Sequence, residues 1–271
     1  MIEFRNVDFW IEENHILDSV SFSVLRGQTK VILGPSGSGK STILRLLMGL
    51  WFPDTGSIRV DGEDITQVAP ERLREIRKRM GMVFQQGALF DSMTVGENIA
   101  YTMLEDDRGD EAEIEQTIRS YLSLVGLDPD LVDRMPDELS GGMQRRVAIA
   151  RALAARDPNI ILYDEPTTGL DPQSAERITD LIVQLRDKMG KTSIMVTHDI
   201  ADALKVGDSI TLLDKGGVVF DGTALELAAA GTPFIGEFLA PFRKAVAAAT
   251  RSMGSRGSSA GGPEPRLGGT P

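Results

Sequence analysis

Nine residues, Gly34-Pro35-Ser36-Gly37-Ser38-Gly39-Lys40-Ser41-Thr42, bring three glycines, a lysine and two adjacent hydroxyls into the spacing G-x-x-x-x-G-K-[ST]. Glycine reaches backbone dihedrals closed to other residues, so successive N–H groups can turn inward and surround a phosphate at the positive end of a helix. Lys40 adds a point charge for the outer phosphates, Ser41 offers a hydroxyl to Mg2+, and Thr42 begins the buried face of the helix. Pro35, Ser36 and Ser38 complete the loop. The chemistry this spacing supports is the binding of a nucleoside triphosphate.

Four further groups suit a nucleotide held there. Asp164 and Glu165 end the apolar run Ile160-Ile161-Leu162-Tyr163 and precede Pro166. Asp164 is placed to hold the Mg2+ shell opposite Ser41, and Glu165 to polarise a water against the γ-phosphate. His198 closes the run 193–197 and is one of two histidines. It suits a hydrogen bond to the γ-phosphate, or the orientation of Glu165 and the water, or plain packing. Gln85, after the run 81–84, can reach Mg2+ or the water through its amide. Ser140-Gly141-Gly142 opens a second helix with exposed backbone N–H groups, a second phosphate site for which this chain's own triphosphate has no need. A spare site of this kind points to a second copy of the chain and a shared ATP. Trp10 has a ring that could stack on an adenine or cover the rim of the core. His15 suggests no chemistry.

These groups need elements to position them. Apolar runs at 30–33, 81–84, 160–164 and 193–197 read as buried strands, each ending in one of the polar groups above. Their carboxyl ends form the edge where open α/β sheets bind ligands. Helical periodicity follows at 43–48, 70–79, 94–104, 111–125 and 140–156, and a further helix is entered by Asp171-Pro172. Residues 2–9 and 20–24 alternate as antiparallel strands with Trp10 and Ile11 at the tip, and 209–213 with 217–220 read as a closing hairpin. The expected fold class is α/β: a mainly parallel sheet with an N-terminal antiparallel β part and an inserted helical subdomain over about 87–157. Residues 105–110 read as an acidic loop, and past 240 the chain turns rich in Gly, Ser and Pro, so 241–271 is expected to be a disordered or partner-binding extension.

The bulk composition narrows the function. Of 271 residues 41% are hydrophobic, enough for a large core, and the formal net charge is −11, which opposes a sequence-independent grip on nucleic acid. There are no cysteines, hence no disulfide or thiolate metal site. The start lacks the basic and apolar blocks of a signal peptide, and no apolar run approaches the roughly 18 residues that cross a bilayer. Work at a membrane would need a partner.

In order, residues 34–42, Gln85, Leu139-Ser140-Gly141-Gly142-Met143-Gln144, Leu162-Tyr163-Asp164-Glu165-Pro166, Gly169-Leu170-Asp171 and His198 resemble the Walker A, Q-loop, signature, Walker B, D-loop and H-loop of ABC transporter ATPases. The resemblance covers about residues 2–240 and implies a P-loop NTPase core whose two copies sandwich two ATP molecules. Each ATP would lie between one copy's Lys40 loop and the other's Ser140 loop. It implies Glu165 as general base, His198 as γ-phosphate sensor and Asp171 as a link across the dimer; Asp171 also reads as the cap before Pro172.

Within the family, residues 77–95 and 138–143 look like the ATPase of Mla/Mce-type lipid transport systems. That likeness implies an integral membrane permease, a lipid-binding Mce-domain protein and a small regulatory subunit as partners, and a peripheral place on the cytoplasmic face of the inner membrane. Trp10-Ile11 stands where the family carries a tyrosine that stacks on adenine. Leu89, Phe90 and Met93 suit either a groove for a permease helix or the core of the helical subdomain. Other ABC importers, for amino acids, ions or methionine, share the same motor. A soluble ABC ATPase of DNA repair is opposed by the absence of a long heptad stretch between Lys40 and Ser140, and one of translation by the single cassette.

Overall fold

A computed structural model describes residues 2–105, 110–230, 235, 236 and 240. The acidic loop expected at 105–110, apart from its end residues, and the extension at 241–271 lie outside the described residues. One ten-stranded sheet runs through the molecule in the order β5-β4-β1-β2-β10-β9-β3-β8-β7-β6. Its parallel part holds β3 (Thr29–Leu33), β6 (Met80–Val83), β7 (Ile160–Asp164), β8 (Thr192–Thr197) and β9 (Ser209–Asp214). The antiparallel part holds β1 (Ile2–Ile11), β2 (Asn14–Val24), β4 (Thr55–Val60) and β5 (Glu63–Asp64). β10 (Gly217–Gly222) pairs antiparallel with β9 and meets β2 at a single bridge, Gly217 with Asp18. The N-terminal strands are thus an extension of the main sheet.

The parallel strands are covered on both faces, which explains their unbroken apolar runs. Along β3, Val31 and Leu33 join one core cluster and Ile32 the other; along β7, Ile161 and Tyr163 oppose Ile160 and Leu162. One face carries α1 (Lys40–Leu47) and α2 (Pro70–Arg77) under the antiparallel strands. The other carries α3 (Val95–Glu105), α4 (Glu111–Leu124), α5 (Gly141–Ala154), α6 (Pro172–Met189), α7 (Ile200–Val206) and α8 (Ala224–Ala229). α3 begins with the capping box expected from Thr94 and Glu97: each backbone N–H donates to the other's side chain, at 2.7 and 3.1 Å.

Register aligns the functional ends. Leu33 pairs with Thr197, Val196 with Asp164, and Tyr163 with Val83. The residues that follow these strands therefore emerge side by side at one edge of the sheet.

Candidate active site

The loop after β3 enters α1 through Gly39, whose φ of 98° lies in the left-handed region. A Cβ there would stand 2.6 Å from Leu17 Cδ2, so only glycine fits. No side chain caps α1 and its first turn carries no acid. The first intrahelical donor is Ile43, whose N–H reaches Gly39 O at 3.2 Å. The N–H groups of Lys40, Ser41 and Thr42 in the first helical turn then face an anion at the positive helix end, so this donor set fits a phosphate. Lys40 is buried along the loop, and its Nζ donates to the carbonyls of Gly34 and Pro35 at 2.9 Å each. Burial pushes its ammonium below the usual lysine range.

Ser41 Oγ donates to Asp164 Oδ1 at 2.9 Å, which brings together the two oxygens expected around Mg2+. Burial pushes the Asp164 carboxyl upward; the Ser41 bond works against this and neighbouring Glu165 adds to it. Glu165 leaves the strand with φ 44°, and its N–H crosses to Val196 O on β8 at 2.9 Å. Its two carboxylate oxygens have different surroundings. Oε2 accepts from Thr168 Oγ1 at 2.9 Å and faces His198 Nδ1 at 3.1 Å, whereas Oε1 lies 3.8 Å from Lys40 Nζ.

Lys40, Ser41, Gln85 and Glu165 line a common cavity of about 400 Å3 together with Ser36, Gly37, Gly39 and Thr42. Its far wall is Ile11, Ile16, Arg45 and Trp51. Trp10, read as either a stacking surface for adenine or a cover for the rim of the core, does not line this cavity. Neighbouring residues of a strand point to opposite faces, and it is Ile11 that lines the cavity. The Trp10 ring instead lies flat on His15, centroids 4.0 Å apart, and its backbone N–H donates to Asp54 Oδ2 at 2.7 Å. His15 in turn meets Asp8 Oδ1 at 3.0 Å.

Sequence reasoning missed Ile16, Arg45, Trp51 and Thr168. Arg45 was within reach, because it lies four residues after Ser41 on the same helix face; its guanidinium covers the Trp51 ring at 4.7 Å. Trp51 depends on tertiary contacts that no local pattern encodes, among them its stacking on Phe9, whereas Thr168 meets Glu165 within one turn whose geometry the sequence does not announce.

The second glycine-rich start stands apart from this cavity. Ser140 caps α5, its Oγ accepting from Met143 N–H at 3.3 Å, with Gly141 exposed and Gly142 buried against Ser174 of α6. Asp171 caps α6, accepting from Ser174 N–H at 3.0 Å, and the bonds from Ser174 hold its carboxyl below the usual range. Neither Ser140, Gly141, Gly142 nor Asp171 lines the cavity around Lys40. Phe90 is 41% exposed and tilted on Tyr101, whereas Leu89 packs against the core.

The comparisons agree with this arrangement of motifs. The family described as ABC transporter matches residues 17–168. The chain is 40% identical over 239 residues to the intermembrane phospholipid transport system ATP-binding protein MlaF of Escherichia coli K12, covering 88% of each protein. It is 44% identical over 212 residues to the glycine betaine transport ATP-binding protein OpuAA of Bacillus subtilis, covering 78% of this chain and 50% of that one. Among solved structures, a chain of the dimeric structure of MJ0796, a bacterial ABC transporter cassette, superposes with a TM-score of 0.75 at 35% identity, covering 82% of this chain and 98% of that one.

Proposed function

The chain belongs to the ABC transporter family of ATP-binding proteins, and from that premise we propose that it hydrolyses ATP at the Lys40–Glu165 cavity to drive phospholipid or related lipid transport. The two-sided environment of Glu165 carries the catalytic reading. One oxygen is occupied by Thr168 and His198, so the other is turned toward Lys40 and the phosphate loop. Glu165 Oε1 then takes the proton of the attacking water as general base. The N–H groups at the start of α1 and the Lys40 ammonium hold the phosphates. His198 keeps the base in place from the neighbouring strand.

Ser41, Asp164 and Gln85 are all oxygen donors, the kind of set a hard cation takes, and they would hold Mg2+. The ion would neutralise charge developing on the phosphates. The nucleobase lies toward Ile11, Ile16 and Trp51. Ser140, Gly141, Gly142 and Asp171 act on the nucleotide of a second copy, and their place outside this chain's own cavity supports that reading. The dimeric state of the related cassette supports it as well.

Membrane permease subunits are the other partners, with Phe90 a candidate contact for them, and no helix among the described residues is long and apolar enough to cross a membrane itself. A peripheral place on the cytoplasmic face of the inner membrane is part of the same proposal. We assign residues 1–240 to the ATPase domain, with the helical subdomain at about 87–157 and the extension at 241–271. A lipid cargo is supported by the match to a phospholipid transport ATPase along 88% of both chains, whereas the betaine transporter subunit is matched over half its length. A lipid-binding Mce-domain protein and a small regulatory subunit complete the proposed assembly.

The test uses tagged Glu165→Gln protein captured from native membranes with ATP and Mg2+, followed by mass spectrometry of proteins and lipids. A multi-span permease arriving with an Mce-domain protein is the expected outcome. Arrival of a permease with a solute-binding protein would reject lipid transport in favour of small-molecule import.

A further inference from the structure

We propose that the Thr168 hydroxyl is a positioning group for Glu165, fixing the plane of its carboxylate so that one oxygen is held and the other faces the nucleotide. The inference rests on the reading of Glu165 as the base. An unheld carboxylate turns freely about one soft terminal torsion, so a base of this kind needs something to fix its plane toward the nucleotide. Here Oε2 is met from two sides: Thr168 Oγ1 at 2.9 Å and His198 Nδ1 at 3.1 Å. The His198 side chain is 49% exposed, whereas the Thr168 hydroxyl comes from the same turn as Glu165.

That turn is itself fixed. Thr168 N–H donates back to Glu165 O at 3.2 Å, which closes the bend after β7. Thr167 Oγ1 donates to the Asp202 carboxylate at 2.5 Å, tying the bend to α7. The carbonyl of Thr168 lies 3.5 Å from Arg145 Nη2 of α5. β-Branching restricts the Thr168 side-chain torsion further. The bend that carries the hydroxyl is therefore tied to α7 and α5 as well as closed on itself. A donor so placed holds one carboxylate oxygen and leaves the other turned to Lys40.

The test compares Thr168→Val, which keeps the shape and loses the donor, with Thr168→Ser, which keeps the donor. Both are made in the full chain and purified with its membrane subunits, beside Glu165→Gln. Thr168→Val should lower kcat about ten-fold, the scale of losing one hydrogen bond to a charged group. KM for ATP should stay within about two-fold, and the melting temperature should fall by no more than the few degrees that one hydrogen bond carries in a domain of this size. Thr168→Ser should restore most of kcat, a recovery that a purely structural role for the γ-methyl group would not give. The proposal is overturned if Thr168→Val turns over like the parent or if Thr168→Ser is as slow as Thr168→Val. Activity in Glu165→Gln would instead remove the base assignment, and with it the premise.

Discussion

Replacing Gly142 by alanine tests whether the start of α5 is small because α6 lies against it. A Cβ at position 142 would stand 2.6 Å from Ser174 Oγ and 2.8 Å from Ser174 Cβ. Ordinary carbon contacts lie near 3.5–4.0 Å, so the new methyl intrudes by about 1 Å. Rotating the Ser174 side chain relieves the hydroxyl contact but leaves the Cβ contact, and the two helices must part. Alanine would otherwise gain up to about 1 kcal/mol over glycine in a helix, while overpacking a close contact costs about 1–3 kcal/mol. The balance is a loss of about 1 kcal/mol, which moves the melting temperature by roughly 2–4 °C in a domain of this size. Ser174→Gly removes both opposing atoms. It carries its own penalty of about 1 kcal/mol, yet in combination with Gly142→Ala the losses should fall short of additive by about 1 kcal/mol or more. Urea unfolding of the four proteins measures this. A Gly142→Ala protein at least as stable as the parent, or strict additivity in the double variant, would refute the packing argument. Loss of ATPase activity that persists once packing is relieved would trace instead to the approach of the nucleotide.

Two further predictions concern the cavity. Ile11→Ala should weaken ATP binding about three- to ten-fold by removing apolar wall from the base, whereas Trp10→Ala should leave it nearly unchanged; a larger effect from Trp10→Ala in calorimetric titration would restore the stacking role. Asp164→Asn should melt higher than the parent near neutral pH without nucleotide. Burial raises the carboxyl's pKa in the folded protein, so its contribution to stability is full at low pH and is lost as pH rises through the raised value. The advantage of the amide should fade as pH falls toward the ordinary carboxylate value near 4. Stabilisation by Mg2+ and ATP together should be weaker in this variant, and an amide that melts lower than the parent at pH 7 would contradict the sign.

The phosphate loop, its flanking strand and helix, and the strand ends at Gln85, Asp164 and His198 were legible because each joins an unbroken apolar run to a polar terminus. The cavity wall was not, for a reason visible in β1. The pairing of β1 with β2 shifts register between Phe4 and Val7, again before Phe9, and again at Trp10. Each irregularity changes the phase of the two-residue alternation. Counting by twos from the N-terminus therefore cannot say whether Trp10 or Ile11 turns inward. The hairpin also reaches Ile11 and Asn14, farther than the alternating stretches suggested. α7 was missed because its seven residues barely make two turns, although Asp199 caps it. Thr168 carries no signal of its own in the sequence, since its hydroxyl gains meaning only once Glu165 bends back at φ 44°.

The segment after Gln85 belongs mechanically to the helices and not to the sheet that delivers it. β6 ends at Val83, and from there the backbone has no strand to pair with. Its carbonyls are taken by α5: Arg145 donates to Phe84 O at 2.8 Å, and Arg151 to Gly87 O at 2.9 Å and Ala88 O at 2.8 Å. Burial lowers the pKa of both guanidiniums, and these carbonyl bonds bring dipoles in place of a counter-charge. Two cations, Arg145 buried and Arg151 half-buried, spent on main-chain acceptors are costly as electrostatics, so what they gain is position. Asn98 of α3 completes the hold, accepting from Phe90 N–H at 2.8 Å and donating to the carbonyls of Phe90, Met93 and Thr94. Gln85 thus stands where the chain passes from the sheet to a body led by α5. Because α5 begins at Ser140-Gly141-Gly142, a displacement at that end pulls on the same helix that grips residues 84–88, with Phe90 under the Arg151 guanidinium at 5.5 Å. The glycine-rich start and the exposed Phe90 surface are therefore joined by one rigid element and its hydrogen bonds.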